Sequence, residues 1–268
     1  MTLEHSTNAK QRVRRTRKSK DDVRADRVNE GNRQIKEKFL EERKQVKPVQ
    51  AKNEFQKKVL RALATKQVIV ISSPAGTGKS LLSVATASDA LMQGKTNKLF
   101  LARPAVGMGN TLGFLKGDLR QKYEPYLMPL IEVVKDRYGI GVYESGLNTG
   151  TIELLPFEYL RGRNISGWAV VDEVQGCSAT ELYSILTRIT EDGKLILLGD
   201  KTQSDVKGKD GLTWLREFVA RHNLWDTVEF IEGDSEDIVR SEFVKRIVQA
   251  RENDTGNYAN HWEEGETQ

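Results

Sequence analysis

The stretch Ser72-Ser73-Pro74-Ala75-Gly76-Thr77-Gly78-Lys79-Ser80 follows directly on the β-branched run Val68-Ile69-Val70-Ile71, and a helical pattern begins at Leu81. A strand that turns through two glycines into a helix is the arrangement that wraps backbone around a phosphate. Gly76 and Gly78 let successive N–H groups converge on phosphate oxygens, and the start of the helix aims its positive dipole end at the same charge. On this reading Ser73, Pro74, Ala75, Gly76, Thr77, Gly78, Lys79 and Ser80 bind a nucleotide. Lys79 reaches the β- and γ-phosphates, and the Ser80 hydroxyl completes the coordination of Mg2+. Ser73 stands where the GxxxxGK[ST] pattern has its first glycine.

Such a loop needs an apolar strand that ends in acid, and Trp168-Ala169-Val170-Val171-Asp172-Glu173 supplies one. Asp172 is expected to hold Mg2+ through water, and Glu173 to polarise an attacking water as general base. An acidic pair after a strand is, alone, more often a helix N-cap. A third strand, Leu197-Leu198-Gly199-Asp200, runs into Lys201-Thr202-Gln203-Ser204-Asp205, where Gln203 is set to sense the γ-phosphate or the attacking water.

Charge is distributed unevenly. Residues 1–50 hold 15 Lys and Arg against 8 Asp and Glu, with an acid-free basic run from Lys10 to Lys20, so the rest of the chain is slightly negative although the whole carries +4. That segment has too few apolar residues to offset its ordering entropy and reads as a disordered basic arm, helical near 32–46. It suits contact with a phosphate backbone or, equally, a solubilising role. The single cysteine, Cys177, excludes an intramolecular disulfide framework and fits a reducing compartment. No stretch approaches the roughly 18 apolar residues that span a bilayer, and the N-terminus lacks the apolar core of a signal peptide. The expected location is cytoplasmic, with no membrane partner.

From Asn53 the pattern becomes periodic, with Phe55, Val59, Leu60 and Leu63 at helical spacing behind an Asn53 N-cap. Strands are predicted at 67–71, 98–102, 151–155, 168–172, 194–199 and 227–231. Helices are predicted at 79–92, 118–137, 179–190, 211–220 and 236–251. The alternation predicts an α/β fold, a mostly parallel sheet with helices on both faces, spanning residues 51–252 between the basic arm and a flexible tail at 253–268.

The ordered motifs resemble the PhoH family of phosphate-starvation-inducible PhoH-like proteins. The resemblance is carried by SPAGTGKS, by LARPAVGMGNTLGFLKGDLRQKYEPYLMPL from Leu101 to Leu130, and by FEYLRGRNI, VVDEVQ, LLGDKTQSD and SEDIVRSEFVKRIV in that order. It implies a RecA-like P-loop NTPase that binds ATP and Mg2+, with RNA or single-stranded DNA as partner. It also implies a ring-shaped homo-oligomer, a hexamer first among the possibilities. Carried over residue by residue, the likeness to superfamily-one helicases assigns adenine recognition to Gln56 and a single-strand contact to Arg103. It makes Arg240 the late arginine that meets the γ-phosphate, and makes Arg240, Arg161 and Arg163 candidates for donation to a neighbouring subunit.

Three readings stay open at this stage. The first is a helicase-like ATPase that remodels RNA or single-stranded DNA. The second is a nucleotide-gated binding module with negligible turnover, and the third a small-molecule kinase, against which the water-activating residues Glu173 and Gln203 count.

Overall fold

The computed structural model describes residues 46–104, 123–200 and 210–253. The chain divides at Val46/Lys47, and the fold below belongs to the unit that starts at Lys47. The first helix, α1 (Glu54–Thr65), is capped by the Asn53 side chain, which accepts from Gln56 N, and leads into β1 (Val68–Ser72). Helix α2 (Lys79–Met92) and strand β2 (Leu99–Arg103) follow. Next come α3 (Met128–Tyr138), α4 (Ile140–Thr149), β3 (Ile152–Pro156) and the single turn α5 (Phe157–Leu160). The remainder is β4 (Trp168–Val171), α6 (Ala179–Leu186), β5 (Lys194–Gly199), α7 (Gly211–His222), β6 (Val228–Glu232) and α8 (Glu242–Asn253).

The six strands form one sheet in the order β3-β2-β4-β5-β1-β6, and every pairing among them is parallel. Parallel strands with crossover helices must be covered on both faces, and alternate strand residues feed two separate cores. Ile69, Ile71, Leu99, Leu101, Val170, Ile196 and Leu198 pack under α1, α2, α3 and α4. Val68, Val70, Phe100, Ala102, Ala169, Val171, Leu195 and Leu197 pack under α5, α6 and α7. Because β5 sits between β1 and β4, the carboxyl ends of β1, β4 and β5 lie side by side. Ligands of open α/β sheets bind at that edge.

Three predicted helices differ from the observed ones, and the one expected over 179–190 ends at Leu186, short of Ile189, which bridges to Ile165. Within the helix expected over 118–137, Tyr123 is helical, Glu124–Leu127 form a 3-10 turn and α3 starts only at Met128. Pro125 and Pro129 each sit in a first turn, where a ring without an N–H starts a helix but cannot continue one. The helix expected over 236–251 is broken into a 3-10 turn, Ser235–Asp237, and α8. The break has a tertiary cause. Val239 N donates to Gly76 O at 3.1 Å, and Asp237 O accepts from Asn53 Nδ2 at 3.0 Å, so these backbone groups serve the phosphate loop and α1 instead of a helix. Helix α4 was not anticipated. Its sequence has a weak apolar repeat and two glycines, and it is held by Val142, Tyr143 and Gly146, the last pressed against Ile152. Among the described residues, no helix is long and apolar enough to cross a membrane.

Candidate active site

The loop between β1 and α2 takes its shape from two glycines, Gly76 at φ 94° and Gly78 at φ 91°, a left-handed region that L side chains rarely enter. Ser73 is not among the positive-φ residues, so its backbone does not need glycine. Its hydroxyl instead bonds the Thr77 hydroxyl at 2.7 Å across the buried base of the loop, and its N–H donates to Gly199 O at 3.1 Å. The departure from the sequence pattern is thus a cross-brace. Lys79 Nζ donates to Ser73 O at 3.1 Å and Pro74 O at 3.4 Å, which lays the ammonium along the loop.

The second element enters from β4. Asp172, 8% exposed, accepts from Ser80 Oγ at 3.4 Å on one oxygen and from Glu173 N at 3.1 Å on the other. Burial first, and the Glu173 carboxylate second, push the Asp172 carboxyl above its usual range, against the opposing pull of Lys79, the Glu173 N–H and Arg103. A hydroxyl beside one carboxylate fits Mg2+, which takes one or two carboxylates and fills its other positions with water and phosphate. Among the described residues, no group of three or more His, Cys, Asp or Glu is arranged to hold a metal without such help.

Glu173 has φ 59° and ψ 37°, one of two non-glycine residues with positive φ among those described. A residue kept in this region costs about 1 kcal/mol or more, and such outliers gather at functional sites. The turn aims its carboxylate at two donors. Gln175 Nε2 donates to Glu173 Oε2, while Arg103 Nη2 lies 3.5 Å from Oε1. Gln175 Oε1 in turn accepts from Asp200 N at 3.1 Å, which ties the acidic turn to the end of β5. Arg103 is fixed by a buried phenol: Tyr123 OH accepts from Arg103 N at 2.7 Å and donates to Arg103 O. Desolvation raises the Tyr123 pKa, so the phenol stays protonated.

These groups line one cavity of about 530 Å³, in the size range of small-molecule sites. Gly76, Gly78, Lys79 and Ser80 form its floor; Asp172, Glu173 and Arg103 form one wall; Val239 and Arg240 form another. Lys52, Glu132 and Asp136 also line it, none of them singled out from sequence. Arg240 is held over the loop of its own chain, its Cδ and Cγ both 3.4 Å from where a Cβ on Gly76 would lie. The expectation that Arg240 serves a neighbour's site therefore meets an arginine already in its own.

The other expected residues sit elsewhere. Gln56 is buried behind the loop at 3% exposure and is not part of the cavity wall. Arg161 lies 3.9 Å from Glu181, and Arg163 pairs with Glu153 near the amino end of β3. Neither arginine lines the cavity. Gln203 lies outside the described residues, as do the basic arm up to residue 45 and most of the stretch after Pro104. Sequence reasoning missed Gln175 and Tyr123 as supports, and of Asn53 it gave the cap of α1 but not the bond to Asp237 O. Gln175 had a signal, standing two residues after Glu173 in VVDEVQ, but the partner it reaches is far off in sequence.

A phosphate loop after β1, acids after β4 and an intervening β5 define a RecA-like P-loop NTPase fold. Within that class the chain belongs to the PhoH-like protein family, whose model matches residues 48–252. It is 36% identical over 207 residues to a PhoH-like protein of Bacillus subtilis, covering 76% of this chain and 64% of that protein. It is 37% identical over 209 residues to one of Synechocystis, covering 76% and 62%. To Protein PhoH of Escherichia coli K12 it is 33% identical over 206 residues, covering 76% and 58%. The chain thus spans about three-fifths of the length of these curated relatives. Among solved structures it is similar to the DUF1998 helicase MrfA bound to DNA, at TM-score 0.40 and 12% identity over 67% of this chain and 25% of that one. It is also similar to the Pif1 helicase from Candida albicans, at TM-score 0.34 and 15% identity over 69% and 41%. At these TM-scores neither likeness bears on the site.

Proposed function

We propose that this chain hydrolyses ATP in the cavity at the carboxyl edge of the sheet and couples that reaction to remodelling of RNA or single-stranded DNA. The observation that carries the reading is the convergence of Lys79, the Ser80–Asp172 pair, Glu173 and Arg240 on one cavity floored by the phosphate loop. Lys79 exchanges the carbonyls of Ser73 and Pro74 for β- and γ-phosphate oxygens. Ser80 and Asp172 hold Mg2+, which when bound neutralises charge on those phosphates. Glu173 takes a proton from a water as its oxygen attacks the γ-phosphorus and the bond to the bridging β–γ oxygen breaks. Gln175 and Arg103 keep the Glu173 carboxylate turned toward the cavity. Arg240, from its own chain, adds positive charge where negative charge gathers in the transition state.

Nucleic acid as partner is supported by the basic composition of residues 1–50. The assembly we favour is a head-to-tail ring. Since Arg240 already lines its own cavity, an arginine supplied by a neighbour is a different one, and Arg161 or Arg163 would have to leave Glu181 or Glu153 to act so. The test is phosphate release from ATP and Mg2+ by the full chain, with and without single-stranded RNA or DNA. Stimulation by either polymer supports coupling. Turnover that ignores both would leave an ATPase without the proposed partner.

A further inference from the structure

We propose that Gln56 is a positioning residue that presets the phosphate loop, and that the nucleotide's base is bound without it. The inference rests on the reading of this cavity as the ATP site. The Gln56 amide nitrogen donates to Thr77 O at 2.9 Å, and its oxygen accepts from Lys52 N at 2.8 Å. To read adenine, a carboxamide must offer one donor and one acceptor side by side to the base edge. Here one amide hydrogen and one oxygen lone pair go to backbone partners, and the side chain, 3% exposed, does not line the cavity, so bringing its free hydrogen and lone pair to a base would mean turning the amide and stripping Thr77 O and Lys52 N of their partners in a buried place. The amide is also wedged in place, because a Cβ on Gly78 would come within 2.9 Å of its nitrogen.

What the bond accomplishes follows from peptide planarity. In a trans peptide the C=O of one residue and the N–H of the next point in opposite directions. Tying Thr77 O to Gln56 therefore turns Gly78 N–H away from α1. The bond from Val239 N to Gly76 O does the same for Thr77 N–H, turning it away from the segment before α8. Two consecutive N–H groups of the loop are thus oriented before any anion arrives, one by Gln56 and one by Val239. Preset donors make an anion nest stronger because no reorganisation is needed on binding.

The experiment compares the full-length wild type with Gln56→Met and Gln56→Glu, using ATP and GTP as separate substrates. Methionine keeps the volume without hydrogen bonds, whereas glutamate still accepts from Lys52 N but cannot donate to Thr77 O. Both variants should raise KM for ATP and for GTP together by about tenfold, with kcat within about threefold and the ATP:GTP ratio of kcat/KM unchanged. Loss confined to ATP, collapsing that ratio, would make Gln56 an adenine reader and overturn the proposal. Lower kcat at unchanged KM, with a lower thermal midpoint, would reduce Gln56 to a general packing role and also overturn it. Should neither variant fold, wild-type turnover of purine riboside triphosphate decides. That nucleotide lacks the 6-amino group that either adenine edge presents to an amide oxygen. A KM equal to that for ATP supports the proposal, and one more than about tenfold higher defeats it. If no nucleotide is hydrolysed, the turnover reading fails by itself, and the same comparisons run on binding of labelled nucleotides.

Discussion

At the scale of single residues, the site rests on groups held in unfavourable states by their surroundings. Glu173 sits in a left-handed turn, and Asp172 is a nearly buried carboxyl pushed above its usual range. Lys194, at the start of β5, is a case outside the site: burial lowers its pKa from 10.5 to about 8, while its ammonium donates to Leu63 O and lies 4.6 Å from the centre of the Trp168 ring. Below the folded value both folded and unfolded chains carry the proton, and the folded one bears a partly desolvated charge. Between about 8 and 10.5 the unfolded chain binds more protons, so this residue's contribution to stability rises with pH. The thermal midpoint of wild type relative to Lys194→Met should therefore improve between about pH 7 and about pH 10. A difference that stays flat would contradict the burial. Of the site residues, those fixed by backbone chemistry were legible in the sequence: glycines where φ is positive, Lys79 and Ser80 after them, and acids after an apolar strand. Gln175 and Tyr123 were not, because their roles lie in bonds to Asp200 and Arg103 that no local pattern encodes.

Among the elements, strands and caps followed from sequence more faithfully than the helices near the site. Strand β5 spans the residues that apolar patterning predicted, and the Asn53 cap holds α1 as expected. The break before α8 was invisible, since Glu236 to Arg251 reads as one amphipathic run until Val239 is found bonded to Gly76. Helices α6 and α7 show how tightly elements fit on the other face of the sheet. Gly211 opens α7 with its N–H on Cys177 O, and a Cβ there would stand 2.5 Å from that carbonyl oxygen. Backbone cannot yield as a flexible side chain does. Gly211→Ala should destabilise the domain by about 1–3 kcal/mol, read as a lower denaturant midpoint at unchanged slope. An unchanged midpoint would mean that the α6–α7 junction moves freely.

For the whole molecule, charge and fold divide the labour. If about six basic residues of the arm meet phosphates, deleting residues 1–45 should flatten the log–log salt dependence of single-strand binding by about four units, at about 0.7 per contact. An unchanged slope would assign the arm to solubility. The fold's part is to bring three sheet ends together, so that a loop from β1 and acids from β4 face one cavity although about 90 residues of sequence separate Ser80 from Asp172. Whether this convergence hydrolyses ATP is read from phosphate release with Mg2+ when wild type is run beside Lys79→Ala and Glu173→Gln, with labelled-ATP binding recorded for each. The expected outcome is release by wild type, loss of both binding and release in Lys79→Ala, and in Glu173→Gln near-normal binding with release reduced by about 100-fold or more. A Glu173→Gln chain that releases phosphate at the wild-type rate would contradict it.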